Sequence, residues 1–208
     1  MCGTPAYVAR PRRRGHPAVV VAAAALLVGC IGEGDAVLDP RAGAIVYGAG
    51  TIAGYLGTFS SPGDAILLET RAEPEGWVLH AASMVKQGGW AGWFIEVGTS
   101  QPGEVRDLSV YAGGSIRLRV RGTRDLEFAV RSGNLIAGRE RSKVLLSTYG
   151  FAPDGEWHDV ALPIRSLAVK EPFLALEQVE VLAALTHVAR QQGEAGAFAV
   201  ESIRWVRE

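Results

Sequence analysis

Ile116-Arg117-Leu118-Arg119-Val120-Arg121 is the stretch on which the fold class turns. Three branched apolar residues alternate with three arginines, the period of a pleated strand that buries one face and wets the other. After Gly122-Thr123-Arg124-Asp125, a polar run able to turn, Leu126-Glu127-Phe128-Ala129-Val130-Arg131 repeats the alternation. Two such runs joined by a short loop predict a β-hairpin.

Working outward, Ala91-Gly92-Trp93-Phe94-Ile95-Glu96-Val97 sets Trp93, Ile95 and Val97 on one parity and Phe94 and Glu96 on the other. Further strands are expected around Val144–Tyr149, Trp157–Leu162 and Phe198–Val206. In the last of these Phe198 and Val200 share one parity and Ile203 and Trp205 the other, so a bulge near Ser202-Ile203 is needed to turn all four inward. Residues 174–190 are ambiguous. Their Leu, Ala, Glu and Gln content favours a helix by propensity, while Val179, Val181, Ala183 and Leu185 also alternate as a strand. Short apolar runs separated by Gly, Pro, Asp and Ser predict an all-β antiparallel β-sandwich.

The first 43 residues read differently. Arg10, Arg12, Arg13, Arg14 and His16 precede an uncharged stretch from Pro17 to Gly29, the layout of an export signal. Its apolar part, Ala18 to Val28, falls well short of the ~20 residues that cross a bilayer as a helix. Leu27-Val28-Gly29-Cys30 resembles a bacterial lipobox, which implies a signal peptide over 1–29 and lipidation at Cys30. Acyl chains on that cysteine would hold the protein on a membrane. Residues 30–43, rich in Gly, Asp and Pro, are expected to be a tether, and 44–208 the β-sandwich domain. The other cysteine, Cys2, leaves with the leader, so the domain is expected to have no disulfide and to rest on its apolar core. Ile31 stands where some Gram-negative lipoproteins carry an inner-membrane retention aspartate, which favours the outer membrane or cell surface.

Removing the leader's four arginines, and no acid, leaves 17 Lys and Arg against 22 Asp and Glu, a formal charge of −5. A mildly acidic domain argues against nucleic-acid binding, which needs clustered cations.

From Gly76 to Trp205 the order of motifs resembles the jelly-roll carbohydrate-binding modules of the galactose-binding-like superfamily. The residues that carry the resemblance are Gly88-Gly89-Trp90-Ala91-Gly92-Trp93, then Asp107-Leu108-Ser109-Val110-Tyr111 leading into Ile116–Gly122. Gly155-Glu156-Trp157-His158-Asp159-Val160-Ala161-Leu162-Pro163-Ile164 and Gly196–Trp205 follow. The resemblance implies a short helical turn and then a strand within 174–190. It also implies an acidic pair in the closing strand. Here that pair is Glu201-Ser202, a departure that leaves room for a structural calcium ion without requiring one, since calcium needs several hard oxygen ligands.

The resemblance further implies a sheet face on which aromatic rings stack against sugar. Trp90, Phe94 and Glu96, off the core parity, are candidates for that face, with Arg117, Arg119 and Arg121 outward on their strand and Tyr149 beside Ser147. Each has a plainer role open to it. Trp and Tyr often pack into cores, and strand arginines often pair with acids such as Glu127 across strands. Trp157, after the turn at Asp154-Gly155, reads as a core or rim residue.

No catalytic pattern is present in the sequence. The histidines His16, His80, His158 and His187 show no metal spacing, Ser83, Ser147 and Ser166 lack a nucleophile elbow, and Glu69, Glu73 and Glu75 flank a turn. The sequence therefore leads to the expectation of a membrane-anchored, non-catalytic lipoprotein that binds a poly- or oligosaccharide. The alternative is a scaffold or assembly lipoprotein whose sheet face binds a protein. A polysaccharide-degrading enzyme ranks last.

Overall fold

The computed structural model describes residues 44–98, 104–133, 142–170, 174–189 and 193–208. All of them fall in one unit running from Ala36 to Glu208. The leader 1–29, Cys30 and the tether 30–43 lie outside the described residues.

Twelve strands are described: β1 (Ala44–Gly48), β2 (Thr51–Ile52), β3 (Gly54–Ser60), β4 (Ala65–Glu73), β5 (Gly76–Val85), β6 (Trp90–Val97), β7 (Ser115–Gly122), β8 (Leu126–Ser132), β9 (Ser142–Leu145), β10 (His158–Pro163), β11 (Val179–Val188) and β12 (Glu194–Val206). A short helix α1 (Ile164–Lys170) and 3₁₀ turns at Ser109–Tyr111, Leu146–Tyr149 and Leu176–Gln178 fill the connections. One sheet, here sheet A, runs β10-β7-β12-β1-β2, with β5 on the first half of β12 and β4 on β5. Sheet B runs β3-β6-β11-β8-β9. The strand pairs are antiparallel, and the two sheets form a jelly-roll β-sandwich of the galactose-binding-like type.

Alternation explains why these residues form these strands. Ile116, Leu118 and Val120 of β7 and Leu126, Phe128 and Val130 of β8 are all at or below 2% exposed. Each large aliphatic or aromatic side chain buried this way contributes roughly 1.5–3 kcal/mol. Trp93, Ile95 and Val97 of β6 meet them in the same core, as do Phe198, Val200, Ile203 and Trp205 of β12.

The strands expected from sequence are present, but the expected hairpin is not. β7 pairs with β10 and β12, whereas β8 pairs with β11 and β9. Gly122–Asp125 is therefore an arch between the sheets. Its two ends are tied to opposite layers: the Thr123 amide donates to the Ala197 carbonyl in sheet A, and Asp125 accepts from the Ser147 hydroxyl at 2.6 Å beside sheet B. Period two assigns a face to each strand and is silent about its neighbour.

The bulge in β12 is real and falls at Glu201, between Val200 and Ser202 against β7, one residue earlier than the parity slip indicates. Val144–Tyr149 is a strand only to Leu145, then a 3₁₀ turn. Of residues 174–190, those described, 174–189, form a 3₁₀ turn at Leu176–Gln178 followed by β11, so tertiary burial overrides helix propensity there. β11 is itself irregular, with register shifts between Val179 and Val181 and between Val181 and Ala183. The second leaves the Leu182 carbonyl to accept the indole N–H of buried Trp205 at 3.2 Å.

Candidate functional site

The outer face of sheet B carries an unusual set of side chains. In register across β3 and β6, Tyr55 opposes Glu96, Gly57 opposes Phe94 and Phe59 opposes Gly92. Aromatic residues thus alternate with glycines on both strands, and Phe59 and Phe94 each face a glycine across the ladder. A Cβ on Gly57 would sit 2.3 Å from Phe94 Cζ, and one on Gly92 would sit 2.8 Å from Phe59 Cζ. The two phenylalanine rings therefore lie down over the bare backbone of the neighbouring strand, a packing available only where the side chain opposite is hydrogen.

The rings form a continuous row. Centroids are 6.2 Å apart for Tyr55 and Phe94, 6.0 Å for Phe94 and Phe59, and 5.6 Å for Phe59 and Trp90. The two ends are the most open, with Tyr55 at 54% and Trp90 at 40% exposed. Trp90 is held by the turn after β3. Its amide donates to Ser61 Oγ at 3.0 Å and Asp64 Oδ2 at 3.1 Å, and its carbonyl accepts from the Ser61 amide at 2.8 Å. Hydrogen bonds from the Ser61 hydroxyl first, and then from the Lys86 amide, keep the Asp64 carboxylate below its ordinary range.

Beside the row, Ala129, Val181 and Ala184 form a small apolar floor distinct from the main core, with Phe59 and Phe94 packed on it. A hollow of about 110 Å³ opens there, walled by Glu96 and Arg131. Arg131 Nη2 contacts Glu180 at 2.8 Å and Glu96 at 3.2 Å. The bulge that makes Glu180 the extra residue of β11 supplies the second carboxylate. Burial pushes the Glu96 carboxyl up, the Arg131 cation works against that shift, and Glu180 adds to it. Arg131 Nε is buried without a hydrogen-bond partner among the described residues.

Trp90, Phe94 and Glu96 are thus brought together as expected. Arg117 and Arg119 are not with them, because β7 belongs to sheet A and its outward face is on the opposite side of the sandwich. Arg119 pairs there with Glu201 at 2.5 Å and Asp159 at 3.0 Å, while Arg121 lies 4.6 Å from the Trp157 ring centre and pairs with Glu73. Arg117 stands opposite Arg204. Tyr149 ends a 3₁₀ turn, where strand parity no longer applies, and packs half-buried against the main core. Sequence reasoning missed Tyr55, Phe59, Arg131 and Glu180. The first three were findable, since Gly54-Tyr55-Leu56-Gly57-Thr58-Phe59 alternates like its partner and Arg131 closes the run Glu127, Ala129, Arg131. Glu180 depends on a bulge that nothing local announces.

Among the described residues no three His, Cys, Asp or Glu side chains gather to hold a metal ion, and Glu201, half of the expected acidic pair, is turned to Arg119. One catalytic-looking contact does exist: Ser83 Oγ lies 2.8 Å from His187 Nδ1, with Glu194 3.8 Å from His187 Nε2. Ser83 is 6% and His187 0% exposed, and the hydroxyl also lies 3.3 Å from the Gly196 carbonyl. The pair spans the interior from β5 to β11 and joins the two sheets.

No family model matches the sequence, and no curated protein does. Solved structures do. The family 30 carbohydrate-binding module of a cellulosomal cellulase of Clostridium thermocellum aligns with a TM-score of 0.58 at 17% identity, over 79% of this chain and 96% of that one. The family 11 carbohydrate-binding module of Clostridium thermocellum, solved with a β-1,3-1,4-mixed-linked tetrasaccharide, aligns at 0.51 and 13%, over 73% and 88%. A β-1,2-glucanase from Parabacteroides distasonis aligns at 0.51 and 15%, over 74% of this chain but 23% of the enzyme. At these identities the likeness is one of architecture: the chain has the β-sandwich fold of carbohydrate-binding modules.

Proposed function

We propose that the protein is a non-catalytic carbohydrate-binding lipoprotein whose ligand lies on the outer face of sheet B. The observation that carries this reading is the row Tyr55, Phe94, Phe59 and Trp90, with its central rings laid over Gly57 and Gly92. A sugar ring offers a flat array of C–H groups to an aromatic face and hydroxyls at its rim. The row supplies the aromatic faces. The adjoining Glu96, Arg131 and Glu180, each partly exposed, supply carboxylate acceptors and guanidinium donors for the rim. An apolar face edged by a few convergent polar groups is the general form of a small-ligand site. The candidates Trp90, Phe94 and Glu96 stay in the site, and Tyr55, Phe59 and Arg131 join them.

In the same reading residues 1–29 direct export and Cys30 carries the lipid, so that the domain is displayed from the outer membrane or cell surface. Affinity electrophoresis against a panel of plant, fungal and bacterial polysaccharides tests the binding. Retardation by at least one glycan is expected, weakened in Trp90→Ala and Tyr55→Ala and unchanged in Arg117→Ala on the far side. A protein-binding face would instead show no retardation on any glycan.

A further inference from the structure

The free edges of the two sheets are unequal. Among the described residues β2 spans two residues, β9 four, β10 six ending on Pro163, and β3 seven that include Gly54 and Gly57. β4 spans nine, Ala65–Glu73, and pairs with β5 alone. Its ladder with β5 runs through nine consecutive pairs, from Ala65 opposite Met84 to Glu73 opposite Gly76, without a register shift. Natural edges are usually guarded by a proline, a bulge, charged side chains or shortness. Of these β4 has only the charges Glu69, Arg71 and Glu73; it is regular and proline-free, its first four residues are Ala-Ile-Leu-Leu, and Leu67 is 66% exposed.

We propose that β4 pairs antiparallel with β4 of a second copy about a two-fold axis at Thr70, extending sheet A across the dimer. The charges choose the register. Residues directly opposite in an antiparallel pair share a face, and opposite charges there stabilise while like charges destabilise. A two-fold axis at Glu69 would overlap all nine residues but set Glu69 against the second copy's Glu69. Moving the axis to Thr70 sets Glu69 against the second copy's Arg71 and Arg71 against its Glu69, with Leu68 facing Ala72 on the other side of the sheet. Glu69 and Arg71 already touch within one chain and are 42% and 58% exposed, so the two pairs join into a quartet of alternating sign. The contact is self-complementary and closes after two copies. It leaves the ring row on sheet B open in both, giving the dimer two glycan sites and the avidity that follows from linking them.

Sedimentation equilibrium of the full chain over a wide concentration range tests this, with circular dichroism as the check on folding. The wild type is expected to dimerise. Glu69→Arg and Arg71→Glu should each weaken the dimer about tenfold, the double swap E69R/R71E should restore it, and Thr70→Pro should abolish it by placing a proline at the centre of the joint. If Thr70→Pro fails to fold, the charge series alone decides. A chain that is monomeric at every concentration overturns the proposal. So does a dimer indifferent to the charge reversals, or one that the double swap does not restore.

Discussion

Phe59 and Phe94 each lie over a glycine, so the smallest change to the site is a methyl group. Gly57→Ala would put a Cβ where the Phe94 ring now sits and force that ring upright. It should lower glycan affinity roughly three- to tenfold while leaving sheet B assembled, as read by retardation on gels and by circular dichroism. The open end rings, Trp90 and Tyr55, should cost a similar factor each when cut to alanine, the order expected for one aromatic stacking contact. Tyr149→Ala should behave oppositely: affinity is kept, and stability falls by about 2–4 kcal/mol because a core-packed ring is lost. At this scale sequence reading succeeds where one strand settles the matter. Trp90, Phe94 and Glu96 share a face of β6 whatever lies beside it. It failed for Arg119, whose outward direction was legible but whose sheet was not.

Among elements, the strands themselves were legible and their neighbours were not. Alternation in β7, β8 and β6 follows from one buried face, a property of each segment alone. Whether Gly122–Asp125 folds β8 back beside β7 or carries it over the core depends on what the ends find: Ala197 at one and Ser147 at the other. Both partners are distant in sequence. The irregularities of β11 are illegible for the same reason, although one of them brings Glu180 to Arg131 and so helps build the candidate site.

The link between β5 and β11 through Ser83 and His187 makes an element-scale prediction about pH. Burial lowers the His187 pKa, with Glu194 opposing and Arg124 assisting. The unfolded chain, with an ordinary imidazole near 6.5, then takes up the proton first. Stability is therefore full above about pH 6.5 and declines as the pH falls below it. Urea midpoints of the wild type should drop between about pH 7.5 and pH 5.5 by more than those of His187→Gln, in which this group cannot titrate. Equal drops in both proteins would show that His187 is not the group responsible.

For the whole molecule, the anchoring reading makes a separate prediction: cells fed labelled palmitate should label the wild type, and Cys30→Ser should remain unlabelled. Sheet A has a further property at this scale. β12 pairs with β5 and then β1 along one side and with β7 along the other, and all three precede it in the chain. Until residues 194–206 arrive, these strands have no common axis to zip onto, and closing such distant loops is slow. A version stopped after Gly193 should give the circular dichroism of an uncooperative coil. If residues 1–29 direct export as proposed, a polypeptide that locks late stays pliable during its journey, and a narrow secretion pore admits only a thread.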